Sequence, residues 1–291
     1  MGALAKSLIV TVGLLASTTG VGSPCSTLDT IFCVNHDNVP AGHHVTDQDI
    51  INWFMSHPSR AGIINDSTGG AIDIVADPSG DPSRGNVMRV FNSEGAYGFT
   101  NGLHGPSSGQ WRSWPGEHDE LYFAFDIYME PGRLWSKIMK LPGFVGGDWA
   151  NADGTHGFST RSMLVSSRAY PNKPDGTLTE YSYYVGKKQG VRWANQGPEG
   201  QITLEPGQWY TIETYVKLNT PDRDDGQLKM WVDGIKVLGV SNRRWRAVNS
   251  LKLDGLYFTF GYGGGDKSFA APEDQYNYYD NWILSTQPIS H

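Results

Sequence analysis

Glu120-Leu121-Tyr122-Phe123-Ala124-Phe125-Asp126-Ile127-Tyr128-Met129 puts Leu121, Phe123, Phe125, Ile127 and Met129 on one face of an extended chain, because successive side chains of a strand point to opposite sides. Further strand-like segments run from Ala71 to Val75, Asn86 to Val90, Trp209 to Leu218, Gln227 to Val232, Gly255 to Phe260 and Tyr278 to Leu284. Turn signals separate them: Asp77-Pro78-Ser79-Gly80, Pro131-Gly132, Pro206-Gly207, Asp224-Asp225-Gly226 and Asp233-Gly234. Gln227 to Leu238, with Asp-Gly at its centre, reads as a hairpin. Asp49 to Met55 is compatible with a short helix or a first strand. The chain shows no fixed repeat, no long helical period and no alternation of strands with helices. These patterns predict an all-β fold, a jelly-roll sandwich of two antiparallel sheets, as a single domain over residues 49–291.

With 36 glycines, 14 tyrosines, 10 tryptophans and 18% charged residues, the composition suits an extracellular β-sandwich that meets carbohydrate. A formal net charge of -7 without a long basic run argues against nucleic acid as a partner. Residues 1–23 read as a secretory signal peptide: Lys6 is the basic start, Leu8 to Ala16 the apolar core and Ser17 to Ser23 a small-residue cleavage zone. The apolar core is too short to span a bilayer, so the expectation is a secreted protein, without a membrane partner and monomeric. Residues 24–48, with His36, His43 and His44, read as a solvated leader. Cys25 and Cys33, the only two cysteines, are expected to pair in an oxidising compartment. Asn65-Asp66-Ser67 is a glycosylation sequon.

Three motifs suggest a function. Lys140-Leu141-Pro142-Gly143-Phe144-Val145-Gly146-Gly147 takes a lysine into a Gly/Pro loop. Gly157-Phe158-Ser159-Thr160-Arg161 and Tyr181-Ser182-Tyr183-Tyr184 follow. Together with Glu120 to Glu130, Trp231-Val232-Asp233-Gly234, Tyr262-Gly263-Gly264-Gly265-Asp266 and Tyr279-Asp280-Asn281-Trp282, the chain over roughly residues 85–285 resembles polysaccharide lyase family 14. That family holds alginate lyases of molluscs and glucuronic-acid-polymer lyases of algal viruses. The Trp-Val-Asp-Gly and Tyr-Asp-Asn pieces recur in many concanavalin-like sandwiches; the Lys-Leu-Pro-Gly and Phe-Ser-Thr-Arg pieces discriminate. The resemblance implies a concave sheet that binds an acidic polysaccharide, with an active-site lysine, a Ser-x-Arg pair and a Tyr-x-Tyr pair. Here these are Lys140, Ser159 and Arg161, and Tyr181 and Tyr183. Where the family commonly continues Leu-Met-Trp-Arg, this chain has Ser162-Met163-Leu164-Val165, and Ser166 to Thr179 resembles an insertion.

The chemistry of such a lyase agrees with these residue types. A uronic acid gives up its C5 proton once its carboxylate is neutralised, which arginine does well. A base must stand near C5 and an acid near O4; lysine and tyrosine serve when their surroundings tune them. Residues two apart on a strand face the same way, so Ser159 pairs with Arg161 and Tyr181 with Tyr183. If the two strands are neighbours, both tyrosines face the arginine. On this reading Arg161 neutralises the carboxylate with Ser159 as helper. Lys140 and one tyrosine, Tyr183 ahead of Tyr181, move the protons. No metal or cofactor is required.

Further substrate contacts are expected at Arg89, at His104 and Gln110 beside Trp111, Arg112 and Trp114, and at Trp245 and Arg246 within the basic run Arg243-Arg244-Trp245-Arg246. Buried sandwich-end aromatics are the alternative for the group at 104–114, and a solvated loop is the alternative for the run 243–246. Asp280-Asn281 could join a structural calcium site or cap a turn. Two other functions compete. A sandwich-type glycoside hydrolase needs two carboxylates on one strand face, and Glu117-His118-Asp119-Glu120 is followed by Leu121 and Tyr122 where a third acid would fall. A lectin-like module would not need Lys140, Arg161 and Tyr183 to converge.

Overall fold

The computed structural model describes residues 30–55, 72–98, 110–148, 151–193 and 202–289. The expected signal peptide, Cys25, the sequon at Asn65 and His104 lie outside them. Alternating segments pair as expected into two antiparallel sheets. One contains β1 (Thr30–Val34), β2 (Ile72–Ala76), β3 (Asn86–Asn92), β5 (Glu120–Met129), β10 (Trp209–Lys217), β11 (Gly226–Val232), β12 (Ile235–Arg243) and β15 (Gln275–Ser285). Its order is β12-β11-β10-β5-β15-β3-β2, with β1 also on β15. The other contains β4 (Gln110–Arg112), β6 (Ile138–Gly147), β7 (Gly157–Val165), β8 (Thr177–Tyr184), β9 (Lys187–Trp193), β13 (Gly255–Thr259) and β14 (Gly261–Tyr262). Its order is β4-β13-β6-β7-β8-β9, with β14 also on β6. The architecture is a jelly-roll sandwich.

The inner faces meet in an aromatic centre. Trp282, fully buried, lies 5.4 Å from the ring of Phe125, 5.5 Å from that of Phe258 and 5.5 Å from that of Phe54. Burying side chains of this size supplies the largest favourable term in folding. Phe54 belongs to α1 (Asp47–Phe54), the helical alternative for this segment, which starts at a Thr46–Asp49 capping box. The Asp233-Gly234 turn joins β11 to β12 with φ of 49° and 75°, the doubly left-handed geometry that a tight hairpin requires.

Two expectations change. The stretch read as a leader contributes β1 to the sheet through Cys33↔Ile283 and Val34↔Trp282. Its His36 is buried against Trp53, and burial lowers the imidazole pKa to about 4. Val34 faces the core while the histidine-rich sequence around it looks polar, so hydropathy alone mistook a short strand for a tail. Lys140 to Gly147 is not a loop but part of β6, in the middle of its sheet. The proline is tolerated because it sits in a bulge, where no ladder hydrogen bond is needed.

At the expected calcium position, Asp280 is buried and the local positive charge belongs to Arg84, 2.7 Å from Asp126 and 3.6 Å from Asp280. Among the described residues no group of three or more His, Cys, Asp or Glu side chains could hold a metal ion. No described helix is long and apolar enough to cross a membrane. Burial, aided by the Asp126 and Asp37 carboxylates and opposed by the Asn281 N–H and Arg84, pushes the Asp280 carboxyl up to about 8. An unfolded aspartate titrates near 3.9, so between these values the folded chain binds more protons and stability falls as pH rises. Asp280→Asn keeps an acceptor for Arg84 and removes the buried charge. Its Tm should exceed that of the unaltered protein by a few degrees at about pH 9 and match it near pH 4, as followed by thermal melts across pH.

Candidate active site

Neighbouring strands bring the motif residues together. β7 pairs with β8 in the register Ser159↔Tyr183, Arg161↔Tyr181 and Met163↔Thr179. Phe158 and Leu164 of β7 enter the main core, so Ser159, Arg161 and Met163 occupy the outer face. On β8 Leu178 points inward, and Thr179, Tyr181 and Tyr183 share the outer face. The condition set by sequence is met: two tyrosines face the arginine across adjacent strands.

Lys140 reaches that face through the bulge. β6 runs Lys140↔Met163 and then Gly143↔Arg161, three residues opposite two. Leu141 takes the extra space inward, fully buried in the core. Lys140 and Gly143 can therefore face the same side despite their odd spacing. On the far side of β6, Tyr257 of β13 stands opposite Gly143. Gly143 has no side chain between Tyr257 and Arg161, and the two meet above it: the guanidinium carbon is 5.0 Å from the Tyr257 ring centre, and Tyr257 hydrogen-bonds Arg161.

Tyr181 sits between the cations. The Lys140 amine lies 5.7 Å, and the Arg161 guanidinium 5.4 Å, from its ring centre. Its hydroxyl shares a 2.6 Å hydrogen bond with that of Tyr183, and the rings are nearly perpendicular, 84° apart. Tyr181 is buried and Tyr183 half-buried, so Tyr183 is the more accessible phenol. Desolvation, helped by the hydrogen bond to Tyr183, pushes the Tyr181 hydroxyl well above the ordinary tyrosine range. Desolvation, and then the Arg161 charge, lowers the Lys140 amine to about 7. Arg161 is 7% exposed, and its surroundings are the phenols of Tyr257, Tyr181 and Tyr183. Its Nε donates to no protein atom, and among the described residues no carboxylate pairs with it. By contrast Arg84, Arg112, Arg243 and Arg246 each meet one.

Of the expected outer contacts, Arg89, Trp245 and Arg246 do not join this cluster. Arg89 is on the opposite sheet, facing away from the core between Met88 and Val90, and pairs with Asp73 at 2.7 Å. Trp245 is fully buried in the core and its N–H donates to the Gln227 carbonyl at 3.2 Å, so it offers no stacking face. Arg246 is 4% exposed and committed to Asp119 and the Asn219 and Leu251 carbonyls. The run 243–246 looked like a basic surface because sequence does not reveal that Arg243 and Arg246 are buried and paired with Glu180 and Asp119. Gln110 lies on the edge strand β4, opposite Thr259; its side chain is outside the described set. Tyr257 was missed. The alternation Leu256-Tyr257-Phe258 marks it as outward-facing, but nothing local places it beside Arg161.

The profile of polysaccharide lyase 14 matches residues 81–282. The chain belongs to polysaccharide lyase family 14. No curated protein sequence matches significantly. Solved structures share the fold. Alginate lyase Aly36B gives a TM-score of 0.65 at 21% identity, covering 89% of this chain and 98% of that one. A family-14 alginate lyase from the marine Aplysia kurodai gives 0.64 at 22%, covering 89% and 99%. The endo-β-1,4-glucuronan lyase of the fungus Trichoderma reesei gives 0.51 at 12%, covering 80% and 93%. Aly36B has also been solved as a lysine-and-tyrosine-to-alanine double mutant with an alginate tetrasaccharide; that structure gives 0.65 at 18%, covering 89% and 98%.

For this polysaccharide lyase, Tyr257→Phe should keep the ring and lose the hydrogen bond that orients Arg161. A bond to a charged group contributes about 1.5–3 kcal/mol. Steady-state kinetics should show kcat/KM falling roughly ten- to hundredfold with Tm little changed.

Proposed function

We propose that the protein acts outside the cell as a polyuronate lyase of the alginate or glucuronan type, cleaving by β-elimination. The observation that carries this reading is Arg161, a buried cation on the outer face of its sheet, ringed by phenols and without a carboxylate partner among the described residues. An uncompensated buried charge is costly, and a uronate carboxylate would supply the missing counter-ion. The fold likeness to lyases of alginate and glucuronan agrees with such a substrate, and so does the pairing of a lysine and a tyrosine in the altered Aly36B.

In this mechanism Arg161 binds the carboxylate and stabilises the charge that spreads onto it as the C5 proton leaves. Ser159, opposite Tyr183, adds a hydrogen bond. The neutral Lys140 amine takes the C5 proton. Its pKa near 7 leaves a useful fraction unprotonated at neutral pH while keeping it basic enough to act. Tyr183 gives its proton to the O4 oxygen as the C4–O4 bond breaks, and a C4=C5 double bond forms. The Tyr181 hydroxyl, held protonated by its surroundings, donates to the resulting Tyr183 phenolate. Lys140 ends with one extra proton and Tyr183 with one fewer, so proton exchange with solvent resets the site. The lowered Lys140 amine supports its role as the base, and the more accessible phenol of Tyr183 supports its role as the acid.

The test is ultraviolet absorbance of the unsaturated product from polymannuronate, polyguluronate and glucuronan, with and without chelator. Absorbance should rise on at least one polymer, persist in chelator and vanish in Arg161→Ala. Lys140→Ala should lose about a hundredfold or more in kcat. Because the base works unprotonated, kcat/KM should climb as pH rises through about 7. Absorbance that stays flat on every polyuronate, or an Arg161→Ala variant as active as the parent, would sink the reading.

A further inference from the structure

Lys140 projects from β6 beside β14, where Gly261 is its register partner. Two residues on, Gly263 is buried, and a Cβ built on it would fall onto the Cδ, Cε and Nζ atoms of Lys140. The end of the lysine chain thus occupies the volume that any side chain at 263 would fill. The following residues hold the segment in place. Gly264 has φ +145° and packs its backbone against the Phe269 ring, which a Cβ would penetrate. Asp266 caps the short 3-10 turn Lys267–Phe269 by accepting from Ser268 N at 2.8 Å. Lys137, just before β6, donates to Ser268 Oγ at 2.8 Å and lies 4.8 Å from the Phe269 ring centre. The glycine segment is therefore fastened to the start of the lysine's own strand. Gly265 differs: a Cβ there meets nothing within 4 Å.

We infer that Gly263 is a positioning residue for catalysis, its missing side chain forming the seat that holds the Lys140 amine over the Tyr181 ring and beside Arg161. The inference rests on the reading of Lys140 as the base. A side chain at 263 would push the amine out of the seat toward open solvent and away from Arg161, raising its proton affinity toward that of an ordinary lysine. The collision is with the mobile end of a side chain, so the fold should survive.

The experiment compares Gly263→Ala and Gly263→Ser with Gly265→Ala as control. One readout is the rate of acetic anhydride labelling at Lys140 against pH, followed by peptide mass. The second is the pH dependence of kcat and KM on whichever polyuronate the parent cleaves. For both Gly263 variants the labelling midpoint and the acidic limb of kcat should move up together by about one pH unit or more. At pH 7 kcat should fall about tenfold with KM within roughly twofold, and Gly265→Ala should track the parent. A folded Gly263→Ala with the parent's midpoint and limb overturns the inference and leaves the lyase reading standing. A shifted midpoint in a protein whose parent cleaves no polyuronate upholds the seat but removes its catalytic purpose, and so overturns the inference together with that reading. A Gly265→Ala shift equal to that of Gly263→Ala also overturns it, since any loop change would then suffice.

Discussion

Everything at the site depends on one irregularity of pairing, the bulge that sets Lys140 to Gly143 opposite Arg161 to Met163. Strand side chains alternate, so a regular ladder would put Lys140 and Gly143 on opposite faces. One of two costs would follow: a lysine among the core side chains, or a gap on the wrong side of the sheet. Leu141 absorbs the extra residue by turning inward, and Pro142 needs no ladder donor there. With that residue accommodated, lysine, arginine and both tyrosines project from three adjacent strands of one sheet.

Among the apolar side chains on their inner side, the same strands carry polar groups that bind this sheet to its partner. Glu180, between Leu178 and Tyr181 on β8, is fully buried and meets Arg243 at the end of β12, 3.2 Å away. Thr160 of β7 donates to it at 3.1 Å. A buried pair of this kind adds little net stability, but losing one partner leaves a charge stranded. It therefore fixes where β8 lies relative to the other sheet, and with it the level at which Tyr181 and Tyr183 project. On the outer face the balance is reversed: Arg161 has phenols and no acid, while its neighbour Lys140 is desolvated. The carboxylate beside Arg243 and the phenols around Arg161 distinguish an arginine that ties the two sheets from one open to an anionic ligand.

Much of this was legible in the chain. Strand alternation from Leu121 to Met129, the Asp233-Gly234 hairpin and the absence of helical rhythm are local properties, set by the geometry of an extended backbone and by turn chemistry. The i, i+2 rule placed Ser159 with Arg161 and Tyr181 with Tyr183 before any strand was paired, and the motifs carried the family. Less was legible where hydropathy misleads: the polar-looking 30–48 stretch holds a sheet strand, and Arg243 to Arg246 looks like surface while Arg243 and Arg246 are buried and paired with Glu180 and Asp119.

The sequence by itself determined the periodicity of the strands, their turns and which residue types share a face, because those follow from neighbours a few positions apart. Only the tertiary structure decided that β6 bulges at Leu141-Pro142, that Tyr257 reaches Arg161 across Gly143, and that Gly263 leaves room for the lysine. Each of these depends on register between segments tens to more than a hundred residues apart, where packing of the whole sandwich selects one alignment. The lowered pKa of Lys140 belongs to the same class, since it arises from burial and from a charge on another strand.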